Sequence, residues 1–180
     1  MRINLIAVCA LMALVAAVAT SSRAQVGGGV PSPPAKADCK FSDGKTIHID
    51  YSSPRMKGRK IFGDLVPYGE PWRAGANEAT TFVIDADMNV AGKTVPAGSY
   101  TLFVLPTADA WTLIISKQTG EWGIPYPGES YDFARVPMKL SKLDSPMENF
   151  MIAFDQSGAA CTLRLAWEST QASVQISGRK

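Results

Sequence analysis

A hydrophobic repeat of two constrains this chain more than any other feature. Across residues 45–51, Ile47, Ile49 and Tyr51 alternate with His48 and Asp50. That period puts apolar side chains on one face of an extended strand and polar ones on the other. Residues 80–86 form a β-branched and aromatic run, and residues 88–95 read as two short arms around Ala91-Gly92. Residues 99–105 and 111–117 read as strong strands, close enough in sequence for a hairpin. Residues 135–140, 149–155, 161–167 and 173–176 complete the set, with Ser157-Gly158 as a turn between two of them. No stretch carries a long amphipathic helical period. Short strands at regular spacing, with Gly and Pro at the joins, predict an all-β fold: an antiparallel β-sandwich of jelly-roll or immunoglobulin-like type.

The start of the chain has a different character. Arg2 precedes a nearly unbroken apolar run from Ile3 to Ala19, and Ser22 and Ala24 stand at the −3 and −1 positions of a cut after Ala24. This is the three-part pattern of a cleavable secretory signal, assigned to residues 1–24. The run is shorter than the roughly 20 residues of a membrane span, and no basic stop-transfer cluster follows it. Residues 25–37, with three Gly and three Pro, read as a flexible linker without secondary structure. A single β-sandwich domain is then expected over residues 38–178, within the usual domain size.

Charge bears on partners. The chain has 18 Lys and Arg against 16 Asp and Glu, and the leader holds Arg2 and Arg23, so the remainder is formally neutral. Nucleic-acid binding needs a clustered excess of positive charge, so no such partner is expected, nor a membrane span after signal cleavage. Two cysteines lie beyond the leader, Cys39 and Cys161. In an exported chain, periplasmic or extracellular, an even count predicts a disulfide; the alternative is two separate buried thiols.

Two stretches break the strand pattern, at residues 52–79 and 118–132. Both are long, aromatic-rich loops that also carry charge, and long loops in compact domains are usually functional or packed by their own side chains. The first contains a basic cluster (Arg55, Lys57, Arg59 and Lys60), then the polar–aromatic group Tyr68, Trp72, Arg73, Asn77 and Glu78. An aromatic face, a guanidinium fork, an amide and a carboxylate suit a concave site for a polar ligand; the same residues also suit a structural lock. The second loop offers Trp122, Tyr126, Tyr131, Asp132 and, just beyond it, Arg135, while Trp111 and Trp167 read as core.

Several chemistries lack their residues. His48 is the sole histidine, too few for a His-based zinc centre, so neither metal nor cofactor is expected. No nucleophile elbow, Walker loop or His-Glu-x-x-His motif occurs. Carboxylate chemistry remains, through Glu78 with Glu70 or Asp132, given a separation of roughly 5–10 Å.

Several strings together resemble a known family. They are Asp50-Tyr51-Ser52-Ser53-Pro54, Lys57-Gly58-Arg59-Lys60-Ile61-Phe62-Gly63, Val66-Pro67-Tyr68-Gly69 and Trp72-Arg73-Ala74-Gly75-Ala76-Asn77-Glu78. With Pro96 to Phe103, Trp111 to Ile114 and Tyr131 to Val136, they are similar to an exported bacterial family known as domain-of-unknown-function family 2911. The resemblance runs from about Cys39 to Ile176. It implies export and a β-rich sandwich, and it implies no reaction and no ligand. It also points to Arg59, Tyr68, Trp72, Arg73, Asn77, Glu78 and Tyr100 as the site; Glu70-Pro71 departs slightly from the family pattern. Three functions are expected in order: a non-catalytic module binding a polar small molecule, glycan or envelope protein; a glycan hydrolase using Glu78; a purely structural envelope protein.

Overall fold

The computed structural model describes residues 32–178; the signal assigned to residues 1–24 lies outside them, as does the linker up to residue 31. Nine strands follow one another: β1 (Pro34–Lys40), β2 (Thr46–Ser52), β3 (Thr81–Ile84), β4 (Met88–Val90), β5 (Lys93–Val95), β6 (Gly98–Pro106), β7 (Trp111–Ser116), β8 (Asp132–Ser157) and β9 (Ala160–Gly178). They form one antiparallel sheet in the order β1-β2-β3-β6-β7-β8-β9-β4-β5. The all-β reading holds. No helix among the described residues is long and apolar enough to cross a membrane.

Two differences from the sequence reading have clear causes. First, β1 begins at Pro34, inside the stretch read as a linker. Pro34 pairs with Ser52 at the end of an edge strand, a position that tolerates the missing N–H. Ala35 and Ala37 turn inward there, and alanine is too small to make its alternation conspicuous. Second, the four late runs are two long strands. β8 pairs with β7 as far as Met138 and with β9 from Lys139 to Ser157, where its register shifts between Lys142 and Met147 and again between Met147 and Met151. The extra residues include Asp144, Ser145 and Pro146, which read as a join because proline cannot donate to a ladder. Opposite them, Glu168 takes φ 53°.

The irregular part of β8 has its own partner. The Met56 N–H donates to the Glu148 carbonyl and the Phe150 N–H to the Pro54 carbonyl, both at 2.8 Å. The chain leaving β2 is thereby held on β8. Tyr51 of β2 reaches the same strand: its hydroxyl accepts from the Ile152 N–H at 3.1 Å. Cys39 of β1 is disulfide-bonded to Cys161 of β9, with Cα atoms 6.5 Å apart. The sheet therefore folds over on itself, and its inner faces share one core that includes Ile47, Ile49, Phe82, Leu102, Leu113, Leu163 and Leu165.

Candidate functional site

Residues 53–80 link β2 to β3 with no strand of their own, and they are ordered by an aromatic cluster. Phe62 packs edge-on against Trp111 at 4.6 Å, and Trp72 against Phe150 at 4.9 Å. Trp72 also pairs with Val104 of β6 through both backbone groups, at 2.7 and 2.8 Å. Its indole N–H donates to the Gly75 carbonyl at 3.0 Å. The turn after it is closed by the Thr80 hydroxyl, which donates to the Ala74 carbonyl at 2.8 Å. Asn77, at φ 58°, donates through Nδ2 to the Ser32 carbonyl and the Ser52 hydroxyl, both at 3.1 Å. Trp72 and Asn77 thus hold the turn in place.

Arg73 lies between those two locks and is bonded differently. Its Nε and Nη1 are buried and have no hydrogen-bond partner among the described residues. Burial lowers its pKa from the usual arginine value. The Trp122 ring covers the guanidinium, with Cζ 5.7 Å from the ring centroid, a cation–π contact. Trp122 belongs to residues 117–131, so the two long loops meet at Arg73. Gly123 makes that approach possible. At φ 77°, a Cβ there would sit 2.9 Å from the Ala79 Cβ and 3.0 Å from the Arg73 Cβ. The Ala79 N–H donating to the Glu121 carbonyl at 3.1 Å ties the loops together.

Arg73 lines two adjoining clefts. One, of about 370 Å³, runs between Leu65, Glu70, Pro71, Ile124 and Tyr126; the other, of about 290 Å³, reaches Arg59 and Trp167. Arg59 uses its Nε and Nη2 on the carbonyls of Met56 and Arg55. Tyr68 is half-exposed and lies across Gly63, where a Cβ would come within 2.7 Å of its ring.

The remaining candidates lie apart. Glu78 is exposed and borders two other clefts. The larger of these, about 480 Å³, is walled by Tyr51, Lys36 and Asp50, and the last two pair with each other at 2.9 Å. The second, about 430 Å³, brings Glu78 together with Glu121 and Trp122. Glu121 Oε1 is buried without a hydrogen-bond partner among the described residues, and burial raises its pKa. Asp132 lines none of these four clefts. Its Oδ1 accepts from the Tyr126 hydroxyl and its Oδ2 from Arg135 Nε at 2.6 Å. Burial, followed by the Asp132 hydrogen bond, pushes the Tyr126 pKa up to about 12. Tyr100 is buried between Phe82 and Phe133, and its hydroxyl donates to the Pro96 carbonyl at 2.9 Å.

Glu121, Leu65 and Ile124 were not among the sequence candidates. Residue type gave no signal for Leu65 and Ile124, which stand in loops rich in other apolar side chains; the fold leaves them 44% and 65% exposed. No group of metal-ligating side chains suited to an ion occurs among the described residues.

Fold and site define an all-β protein whose two long loops meet over an arginine. The sequence profile of the family described as "Protein of unknown function (DUF2911)" matches residues 32–176, and the chain belongs to that family. Neither the curated proteins nor the solved structures contain a match to it.

Proposed function

We propose that this protein is a non-catalytic binding module, with its ligand held between residues 53–80 and 117–131 and anchored on Arg73. One observation carries the reading: two buried guanidinium N–H positions have no acceptor among the described residues. Leaving a buried donor unsatisfied costs about 1–3 kcal/mol, more for a charged group, and a ligand acceptor removes that cost. Trp72 and Asn77 hold the anchor in position, which is how one motif serves structure and binding together. The 480 Å³ cleft has less to offer, because its Lys36 and Asp50 already neutralise each other.

The folded sheet works in this reading as a two-layer sandwich, with β8 passing between layers where its register shifts. The chain is exported, cleaved after Ala24, and acts in the periplasm or outside the cell. The Cys39–Cys161 disulfide supports that placement, since such bonds persist in oxidising compartments.

A second reading, glycan hydrolysis through Glu78, draws support from one cleft. Glu78 and Glu121 border it together, beside the aromatic platform of Trp122. Glu121 is the better second carboxylate there, because Asp132 is occupied by Tyr126 and Arg135.

A thermal-shift screen of the purified protein against sugars, peptidoglycan fragments, organic anions and divalent metals separates these readings. A ligand that binds only the folded state raises the melting temperature. The expected result is a shift with anions that disappears in Arg73→Gln. A hit indifferent to Arg73, or a flat panel, rejects the proposal; turnover of a glycan that stops in Glu78→Gln establishes the second reading instead.

A further inference from the structure

We infer that the Arg73 cleft selects a monoanionic carboxylate with an apolar body, of the kind represented by a medium-chain aliphatic acid. This rests on the binding reading above and adds the chemistry of the ligand. The two clefts share Leu65, Val66, Trp72, Arg73 and Ile124 as walls, so they adjoin at Arg73. The larger, about 370 Å³, falls within the volume range of small-molecule sites. Pro67, Pro71 and Pro125 supply further apolar wall. At the rim, the exposed faces of Leu65 and Ile124 are apolar area that only an apolar ligand covers with gain.

Charge narrows the class further. Arg73 presents a planar fork of donors that matches a carboxylate. Glu70 borders the same cleft and brings a second negative charge close to any anion bound there. One unpaired cation opposed by one carboxylate favours a single negative charge on the ligand. It disfavours dicarboxylates and phosphate monoesters, which carry close to two charges at neutral pH. Arg59 adds positive charge at the smaller cleft, but two of its donors are committed to backbone carbonyls. Trp72 lines both clefts, so a ligand seated in either one changes a tryptophan environment.

The test is isothermal titration with octanoate, octanol, octyl phosphate and octanedioate, with tryptophan fluorescence recorded in parallel. Octanoate is expected to bind about tenfold or more tightly than the other three and to change the tryptophan signal. Arg73→Gln should weaken it by about tenfold or more. Ile124→Glu, at an exposed position outside the core, should do the same with an unchanged melting temperature, so the test survives a poorly folding Arg73 variant. Glu70→Gln should tighten octanedioate relative to octanoate. Octyl phosphate or octanedioate binding as tightly as octanoate, in an Arg73-dependent way, overturns the ligand class and leaves the cleft standing. Octanoate that fails to bind, or that ignores both Arg73→Gln and Ile124→Glu, also overturns the class. Absence of any Arg73-dependent ligand in the broader screen overturns the cleft with it.

Discussion

The indole of Trp72 stacks on that of Trp167, with ring centroids 5.8 Å apart and planes 22° apart. One residue comes from the irregular stretch between β2 and β3 and the other from β9, so this pair fastens the loop that carries Arg73 onto the folded sheet. Trp72→Ala should cost about 3–5 kcal/mol in denaturant unfolding, through lost burial and the cavity left behind. Trp72→Phe keeps a ring against Phe150 and loses the bond to Gly75, so its cost should be clearly smaller. Equal losses in the two variants would mean that the hydrogen bond, and not the stack, holds the loop.

Asn77 combines a left-handed backbone with two side-chain hydrogen bonds. Asn77→Gly keeps the backbone and loses the bonds. Asn77→Ala loses the bonds and also strains the backbone, by about 1–2 kcal/mol. Unfolding free energies should therefore fall in the order wild type, Asn77→Gly, Asn77→Ala. An Ala variant as stable as the Gly variant would show that the turn relaxes out of the left-handed region.

The disulfide joins β1 to β9 across a sequence separation of 122. Replacing both Cys39 and Cys161 with Ala should lower stability by about 2–5 kcal/mol. Reductant should lower the melting temperature of the wild type and leave the double variant unaffected. A wild type insensitive to reductant after full thiol labelling would exclude a stabilising role for the bond.

On the polar face of β2, the two ring nitrogens of His48 face Asp38 and Asp50, and Lys36 pairs with Asp50. The Asp38 hydrogen bond is the main cause that raises the His48 pKa above its ordinary 6.5. A raised pKa means that this group's stabilisation is complete below 6.5 and is lost as pH rises through the raised value. Asp50 is held below the usual carboxylate range, first by Lys36, so its own titration lies at lower pH and does not blur the window. Melting temperature should therefore fall with rising pH across this window more steeply in the wild type than in His48→Gln. Parallel profiles would remove His48 as a source of pH dependence.

Much of the strand content was legible because burial on one face writes a period of two into the sequence. Residues 45–51 and 99–105 stand in the fold as β2 and β6. Legibility failed where the period was weak or interrupted. Ala35 and Ala37 gave β1 too little contrast, and the run containing Pro146 concealed the continuity of β8 behind a change of register. For the candidate site, residue type alone marked out Trp72, Arg73, Asn77 and Glu78 as a group. Their division of labour was not visible there: Trp72 and Asn77 are satisfied by nearby backbone and side-chain groups, while Arg73 is not.

By itself the sequence determined the antiparallel all-β class and the family, since both rest on local side-chain pattern and composition. Tertiary structure alone decided that Trp122 covers Arg73, that Glu121 joins Glu78, and that Asp132 is spent on Arg135. The physical reason is distance along the chain. A strand records its environment every second residue, whereas a contact between two irregular loops leaves no periodic trace in either. It depends on how the folded sheet aims their ends, and on a single position, Gly123, where only a missing side chain lets the two loops meet.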